Sequence, residues 1–361
     1  MISKIRIPLI MGVISLFLSG CLPSTKILED IQLVQSIGYD YIGDEKFQGT
    51  GGSSFITPGE KSIPKSVTFT AEGNTNRKIL QKIQSKSPKP IEIGRVGVIL
   101  FNQEIAKNGI MEHIESLEKD PSVGRDIYLA VSIGSTFEIL DGTYPQSESV
   151  SQYLTEVIKQ NMERTIPKMD LHRYLYHYYG KGLDPFMPVI AHEGRYIQIK
   201  GIALFKKDKL VDIIGLKESY VFKVLFESIR KGVLEVDFTE KEEISIRNLS
   251  SDTNYKVTKD HEKYQIEVNI KLNGQISDSA GLKLSDDKVI KKIEKATEKQ
   301  IKEHAANLIK KFQDLEVDPL GMGDKARQKG DFNKKDWQGQ YGDMEIKVHA
   351  DVDVSQSGIA E

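Results

Sequence analysis

The chain has 361 residues, a formal charge of −2 and 39% apolar content. That length allows two or three domains, and the composition belongs to globular chains, not disordered ones. The near-neutral charge leaves no basic excess to neutralise a phosphate backbone, which argues against nucleic acid as a partner.

The N-terminus reads "MISKIRIPLIMGVISLFLSGC". Lys4 and Arg6 precede an uncharged apolar run, Ile7 to Leu18, and small residues lead up to Cys21. This is the layout of a secretory signal, and the run is shorter than the ~20 apolar residues that span a bilayer. Leu18-Ser19-Gly20-Cys21 is similar to a bacterial lipobox. That similarity implies cleavage between Gly20 and Cys21, lipidation of Cys21, and a mature chain of charge −4 once Lys4 and Arg6 are lost. Two acyl chains hold a protein stably on a membrane where one does so marginally. Cys21 is the only cysteine, so no internal disulfide forms and stability must come from packed cores.

Residues 22–30 form a short tether. "IQLVQSIGYDYI" reads as a buried strand, and Phe47 to Pro64, rich in Gly, Ser and Pro, as a loop. "SVTFTAEG" alternates as a strand does, and a helix follows from a cap at Asn74 or Thr75 to a stop at Pro88, with Ile79, Leu80 and Ile83 on one face. "RVGVILF" is a strand, "NQEIAKNGIMEHIESLEKDP" a helix ended by Pro121, and "DIYLAVSIG" a strand. A further helix covers "SVSQYLTEVIKQNMERT". Strand and helix alternate, which predicts an α/β first unit over residues 21–190 including the tether.

A hairpin over Tyr196–Gly215 and a helix stopped near Gly232 form the expected central unit, residues 191–240. The last unit, 241–361, has the cleanest patterns. "YQIEVNIKLNG" and Met344 to Val354 alternate, as strands with one buried face do. Between them lies a long helix, 286–316, with Ser285 as its cap. The expected fold class is therefore α+β, three mixed α/β domains, the last a sheet packed on one long helix.

Catalytic and metal-binding patterns are weak. His172 and His177 lie five residues apart, which on a helix turns them about 140° from each other and does not suit a zinc pair. "GTGGSS" lacks GK[ST], "GMGDKARQKG" lacks a third glycine and a preceding strand, and Ser135 has no nucleophile elbow around it. No metal and no cofactor is expected, and the chain reads as a non-enzyme. Trp337 is either an exposed contact or a cap over the end of the long helix, and its size favours the cap.

Three stretches then resemble one family. "FNQEIAKNGIMEHIESLEKDPSVGRDIYLAVSIGSTFEIL", with Asp120 and Pro121, is similar to its first-domain helix, Asp-Pro turn and strand. "IKGIALFKKDKLVDIIGLKES", with Gly201, Phe205 and Asp208, is similar to its hairpin. "ANLIKKFQDLEVDPLGMGDKARQK", with Asp318, Gly321, Gly323 and the later Trp337, is similar to its terminal-helix exit. The chain is identified as a member of the Ger(x)C family, the C subunits of nutrient germinant receptors of spores. Members commonly carry Trp-Asp soon after the lipidated cysteine; here Glu29 and Asp30 are present and the tryptophan is not. The resemblance implies a non-catalytic subunit, lipid-anchored through Cys21 on the outer face of the spore inner membrane. It also implies membrane-embedded A-type and B-type receptor subunits as partners. The alternative reading is an extracytoplasmic solute-binding lipoprotein of a transporter, which calls for two similar parallel βαβ lobes.

Overall fold

The computed structural model describes residues 30–56, 64–119, 123–124, 126–145, 149–239, 242–260, 263–279, 281–282, 284–330 and 332–355. The signal and lipobox, including Gly20 and Cys21, and the Asp120-Pro121 turn lie outside these residues.

The described strands form two sheets. The larger contains β1 (Gln32–Gly43), β2 (Lys46–Ile56), β3 (Pro64–Gly73), β4 (Ile91–Asn102), β5 (Tyr128–Ile133), β6 (Phe186–Glu193), β7 (Tyr196–Lys206) and β8 (Lys209–Gly215). Its order is β3-β2-β1-β4-β5-β6-β7-β8. The centre, β1-β4-β5-β6, is parallel, and both margins are antiparallel. Parallel strands covered on both faces read as continuous apolar runs. Accordingly Val98 to Phe101 and Leu129 to Val131 are fully buried.

Several local expectations change in the structure. The segment read as a loop at Phe47 is strand β2 as far as Ile56, paired with β1 and β3. Its glycines disfavour a strand by propensity, but packing requires one of them. A β-carbon on Gly49 would lie 2.7 Å from Cγ2 of Ile79, on α1 (Asn76–Gln84). Thr75 caps α1, accepting the Lys78 N–H at 3.3 Å. Ile79 and Ile83 are buried while Leu80 is exposed. The helix expected after Asn102 is two, α2 (Gln103–Asn108) and α3 (Met111–Glu118), broken at Gly109, whose φ is 120°. A short helix, α4 (Thr136–Leu140), follows β5 with Ser135 as its cap. Then come α5 (Val150–Arg164), α6 (Leu171–Tyr179) and α7 (Leu216–Phe226).

The hairpin Tyr196–Gly215 forms, but it continues the larger sheet through β6. The stretch 191–240 is thus shared between two sheets, because its last strand, β9 (Val233–Asp237), pairs with β10 (Glu243–Asp260). The smaller sheet runs β12-β11-β10-β9, with β11 (Lys263–Asp278) antiparallel to β10 and parallel to β12 (Ile346–Ser355). β10 alternates buried Ile244, Ile246 and Asn248 with solvated neighbours, as one covered face demands.

The cover is α8 (Asp287–Asp314), about 42 Å long at ~1.5 Å per residue. Ile293, Thr297, Ile301, Ala305, Leu308 and Phe312 form its buried stripe. Asp286, one residue later than expected, caps it by accepting the Lys288 N–H at 2.8 Å. Gln300 on α8 bonds both the Asp237 N–H and the Glu235 carbonyl, which fixes β9 beneath the helix. No helix among the described residues is long and apolar enough to cross a membrane.

Candidate functional site at the seam between the sheets

Beyond α8 the chain makes α9 (Met322–Gln328) and α10 (Lys334–Tyr341) before β12. The segment between α8 and α9 meets the segment between α6 and β6, and four of the sequence-selected residues gather near this seam. Two short runs of the same pattern face each other: Leu183-Asp184-Pro185-Phe186 and Val317-Asp318-Pro319-Leu320. Asp184 N–H donates to the Asp318 carbonyl at 3.0 Å, and Asp318 N–H donates to Oδ2 of Asp184 at 2.8 Å. The Asp318 carboxylate in turn accepts Met322 N–H at 2.9 Å and Gly323 N–H at 2.7 Å. It thereby holds the first turn of α9. Gly321 supplies the left-handed turn into that helix, with φ 63°.

Two glycines close the seam. Gly182 has φ 77°, its carbonyl accepts Asp324 N–H at 2.9 Å, and a β-carbon there would sit 2.6 Å from the Gly323 carbonyl carbon. A β-carbon on Gly323 would sit 2.8 Å from both Gly182 Cα and Trp337 Nε1. Such separations lie below any real Cβ contact, so both positions must stay bare for the backbones to meet. Trp337 is buried. Its aromatic neighbours are Tyr264 on β11 at 5.2 Å, Tyr341 at 5.6 Å and Phe332 at 6.1 Å.

Burial dominates the electrostatics. Asp318 is 4% exposed, and its carboxyl is pushed up to about 7 by burial against the pull of the two amide donors. Burial raises Asp184 as well. Lys325 is lowered by burial; its Nζ donates to the Leu320 carbonyl at 2.9 Å and sits 4.5 Å over the Tyr255 ring. His177 is buried with Nδ1 3.0 Å from the Asp184 carbonyl, and burial lowers its pKa. His172 is exposed on the other side of the helix. A polar cleft of ≈ 890 Å³ opens beside the seam, lined by Asp184, Asp318, Lys206, Lys310, Glu316 and Trp337 among others. Among the described residues no three His, Cys, Asp or Glu side chains gather as metal ligands.

The remaining selected residues lie along the hairpin. Phe205 donates its N–H to the Pro185 carbonyl at 3.1 Å and meets the Tyr174 ring at 5.9 Å, so it adjoins the seam. Gly201 sits farther along β7, paired with Val189 and Gly215 beside a register shift. Asp208 lies in the β7–β8 turn and closes the break between α2 and α3. Its Oδ2 accepts Met111 N–H at 3.3 Å, and its carbonyl accepts Ile110 N–H at 3.2 Å.

Sequence reasoning passed over Asp184 and Gly182, although the repeated Asp-Pro pattern was visible. It also passed over Asp40, whose buried carboxylate takes the Thr136 and Phe137 N–H groups and the Ser135 and Thr136 hydroxyls, and so seats α4. Ser135 is thereby a structural cap. The arrangement as a whole can fix two sheets relative to each other and can respond to protonation.

Residues 24–192 match the spore germination protein N-terminal domain, and residues 200–358 match the spore germination B3/GerAC-like C-terminal domain. Spore germination protein GerQC of Bacillus cereus is 33% identical over 97% of this chain and 98% of its own. The putative spore germination protein YfkR of Bacillus subtilis (strain 168) is 25% identical over 99% of this chain and 97% of its own. The crystal structure of the GerBC protein superposes with a TM-score of 0.57 over 89% of this chain and 96% of that one, at 16% identity, so the fold is common to both. With both domain matches in order and a third of residues shared along nearly the whole length, the chain belongs to the Ger(x)C, GerAC-like family of spore germination proteins.

Proposed function

We propose that this chain is the lipid-anchored C subunit of a spore nutrient germinant receptor. In this reading Cys21 carries the lipid, the body rests on the outer face of the spore inner membrane, and A-type and B-type membrane-embedded subunits are its partners. Its contribution is assembly and signalling, not catalysis. The observation that carries the proposal is the match to a spore germination protein along 97% of this chain and 98% of the relative. The lipobox-like Leu18-Ser19-Gly20-Cys21 supports the anchor. The solute-binding alternative calls for two similar parallel lobes, whereas the two sheets among the described residues have eight and four strands and different topologies.

The test is dipicolinic acid release from spores lacking this gene, in a strain whose other receptor loci are also removed. Restoring the wild-type gene should return the response to one nutrient, while a trigger that bypasses receptors works in every strain. A Cys21→Ala gene should yield protein lost from the membrane fraction and a weaker nutrient response. A restored gene that returns no nutrient response overturns the receptor role. Equal membrane recovery of Cys21→Ala and wild type overturns the lipid anchor.

A further inference from the structure

A cavity of ≈ 250 Å³ lies between the larger sheet and α1, separate from the seam cleft. The space is a partly open pocket, not a sealed void. Its origin is visible in the strand pattern. On the α1 side, β1 and β4 present Val34, Ile37, Tyr39, Ile91 and Ile93, while β2 presents Gly49 and Gly51. Gly49 lets Ile79 approach, Gly51 leaves the floor of β2 low beside Val34, and Ile79 and Ile83 of α1 roof the space. A mouth is left beside the first turn of α1, at Asn76, Arg77 and the exposed Leu80.

The chemistry of the lining is narrow. Apolar side chains make up most of it, and no carboxylate is among the lining residues. Tyr39 is 4% exposed, its ring is held by Phe47, Phe101 and His113, and it contributes a hydroxyl-bearing side chain to the lining. A phenol hydroxyl can donate to an acceptor brought in by a ligand. His113, the neighbouring titratable group, is pushed down to about 4 by burial and stays neutral. Arg77 stands exposed at the mouth.

We infer that this cavity is a binding site for a small uncharged molecule with a hydrocarbon body and one hydrogen-bond acceptor, held by the Tyr39 hydroxyl. The volume exceeds the ~150 Å³ apolar cavity known to hold benzene and falls below the ~300–1,000 Å³ of drug-sized sites, so the ligand is monocyclic or a short aliphatic. A buried ammonium would have no counter-charge, which excludes amines and zwitterions. The inference rests on the cavity alone and stands or falls separately from the receptor reading.

Isothermal titration of the full chain bearing Cys21→Ala, with benzyl alcohol, toluene, benzylamine and benzoate as probes, tests it. Benzyl alcohol should bind saturably at one site, and benzylamine should not. Benzoate binding as tightly as the alcohol would shift the ligand class to carboxylates paired with Arg77 and overturn the neutral assignment. Tyr39→Phe keeps the ring and removes the hydroxyl. It should weaken benzyl alcohol about threefold to tenfold and leave toluene unchanged, the fold-change expected for one net hydrogen bond. Gly51→Val, which fills the floor near Val34, should abolish both. No saturable binding of benzyl alcohol to the parent chain overturns the site, and so does an alcohol-to-toluene ratio that Tyr39→Phe does not move.

Discussion

Asp318 is asked to do two opposing things. Its two amide donors favour the carboxylate, while complete removal from water favours the neutral acid, and burial wins. An unfolded aspartate titrates at about 3.9, whereas burial pushes this one up to about 7 in the fold. Between those values the folded chain holds a proton that the unfolded chain has released, so stability falls as pH rises. The stabilisation is complete below the unfolded value and is lost as pH climbs through about 7. Asp184, also raised, acts in the same direction. Asp318→Asn removes the titration but keeps the shape. From about pH 4.5 to about pH 7.5 its melting temperature should fall less than the parent's. Parallel profiles over that window would show that Asp318 does not titrate there.

At the scale of elements, the β7–β8 hairpin and the α2–α3 pair are joined at one turn. Gly109 breaks the helix, leaving amide donors at Ile110 and Met111 that the Asp208 carbonyl and carboxylate satisfy. This is helix capping from a distant turn. Asp208→Ala should therefore cost about 1 kcal/mol, as loss of a capping side chain does, and Asp208→Asn should recover most of it, read as urea midpoints at constant slope. An unchanged midpoint for the alanine variant would mean that solvent serves Met111 equally well. Sequence alone could not show this joint. The apolar periodicity of Ile105, Ile110, Ile114 and Leu117 runs through Gly109 as though one helix continued. Patterns with a wet face, β11 and β12 above all, were legible because alternation marks them directly. β2 was not, since its glycines serve the approach of Ile79 and leave no apolar pattern. β6 was passed over because Pro188 interrupts it, and with β6 missing the hairpin lost its link to the larger sheet. Of the seam, Asp318, Gly321, Gly323 and Trp337 were selectable by resemblance. Gly182 and Asp184 were not, because contacts across some 140 residues leave no local trace.

For the whole molecule the question is what makes two sheets behave as one body. Ion pairs cross the boundary, Lys206 to Glu316 at 2.6 Å and Lys311 to Asp212 at 3.0 Å, but all four side chains are about a third or more exposed and such pairs contribute little. The buried contacts matter more. Phe222 on α7 packs 4.7 Å from Phe186 and 5.3 Å from Phe312 on α8, so aromatic rings link both cores. The Gly182–Gly323 contact and the reciprocal Asp184–Asp318 bonds complete the seam. If these couple the units, one cooperative transition should unfold both, and overpacking the seam should separate them. Gly323→Ala forces a methyl against Gly182 and Trp337, at a cost of about 1–3 kcal/mol. Trp337 is the sole tryptophan and reports the C-terminal side by fluorescence, while hydrogen exchange at Leu129 to Val131 reports the larger sheet. In the parent chain the two probes should give one urea midpoint. In Gly323→Ala the fluorescence midpoint should fall first, leaving β5 protected, because the strain enters where α9 meets Trp337 and the larger sheet retains its own core. Midpoints that fall together would mean that the aromatic link through Phe222 couples the sheets without help from the glycines. Midpoints that do not move would mean that the backbone relaxes around the added methyl, and the close approach at Gly182 would then carry no energetic weight.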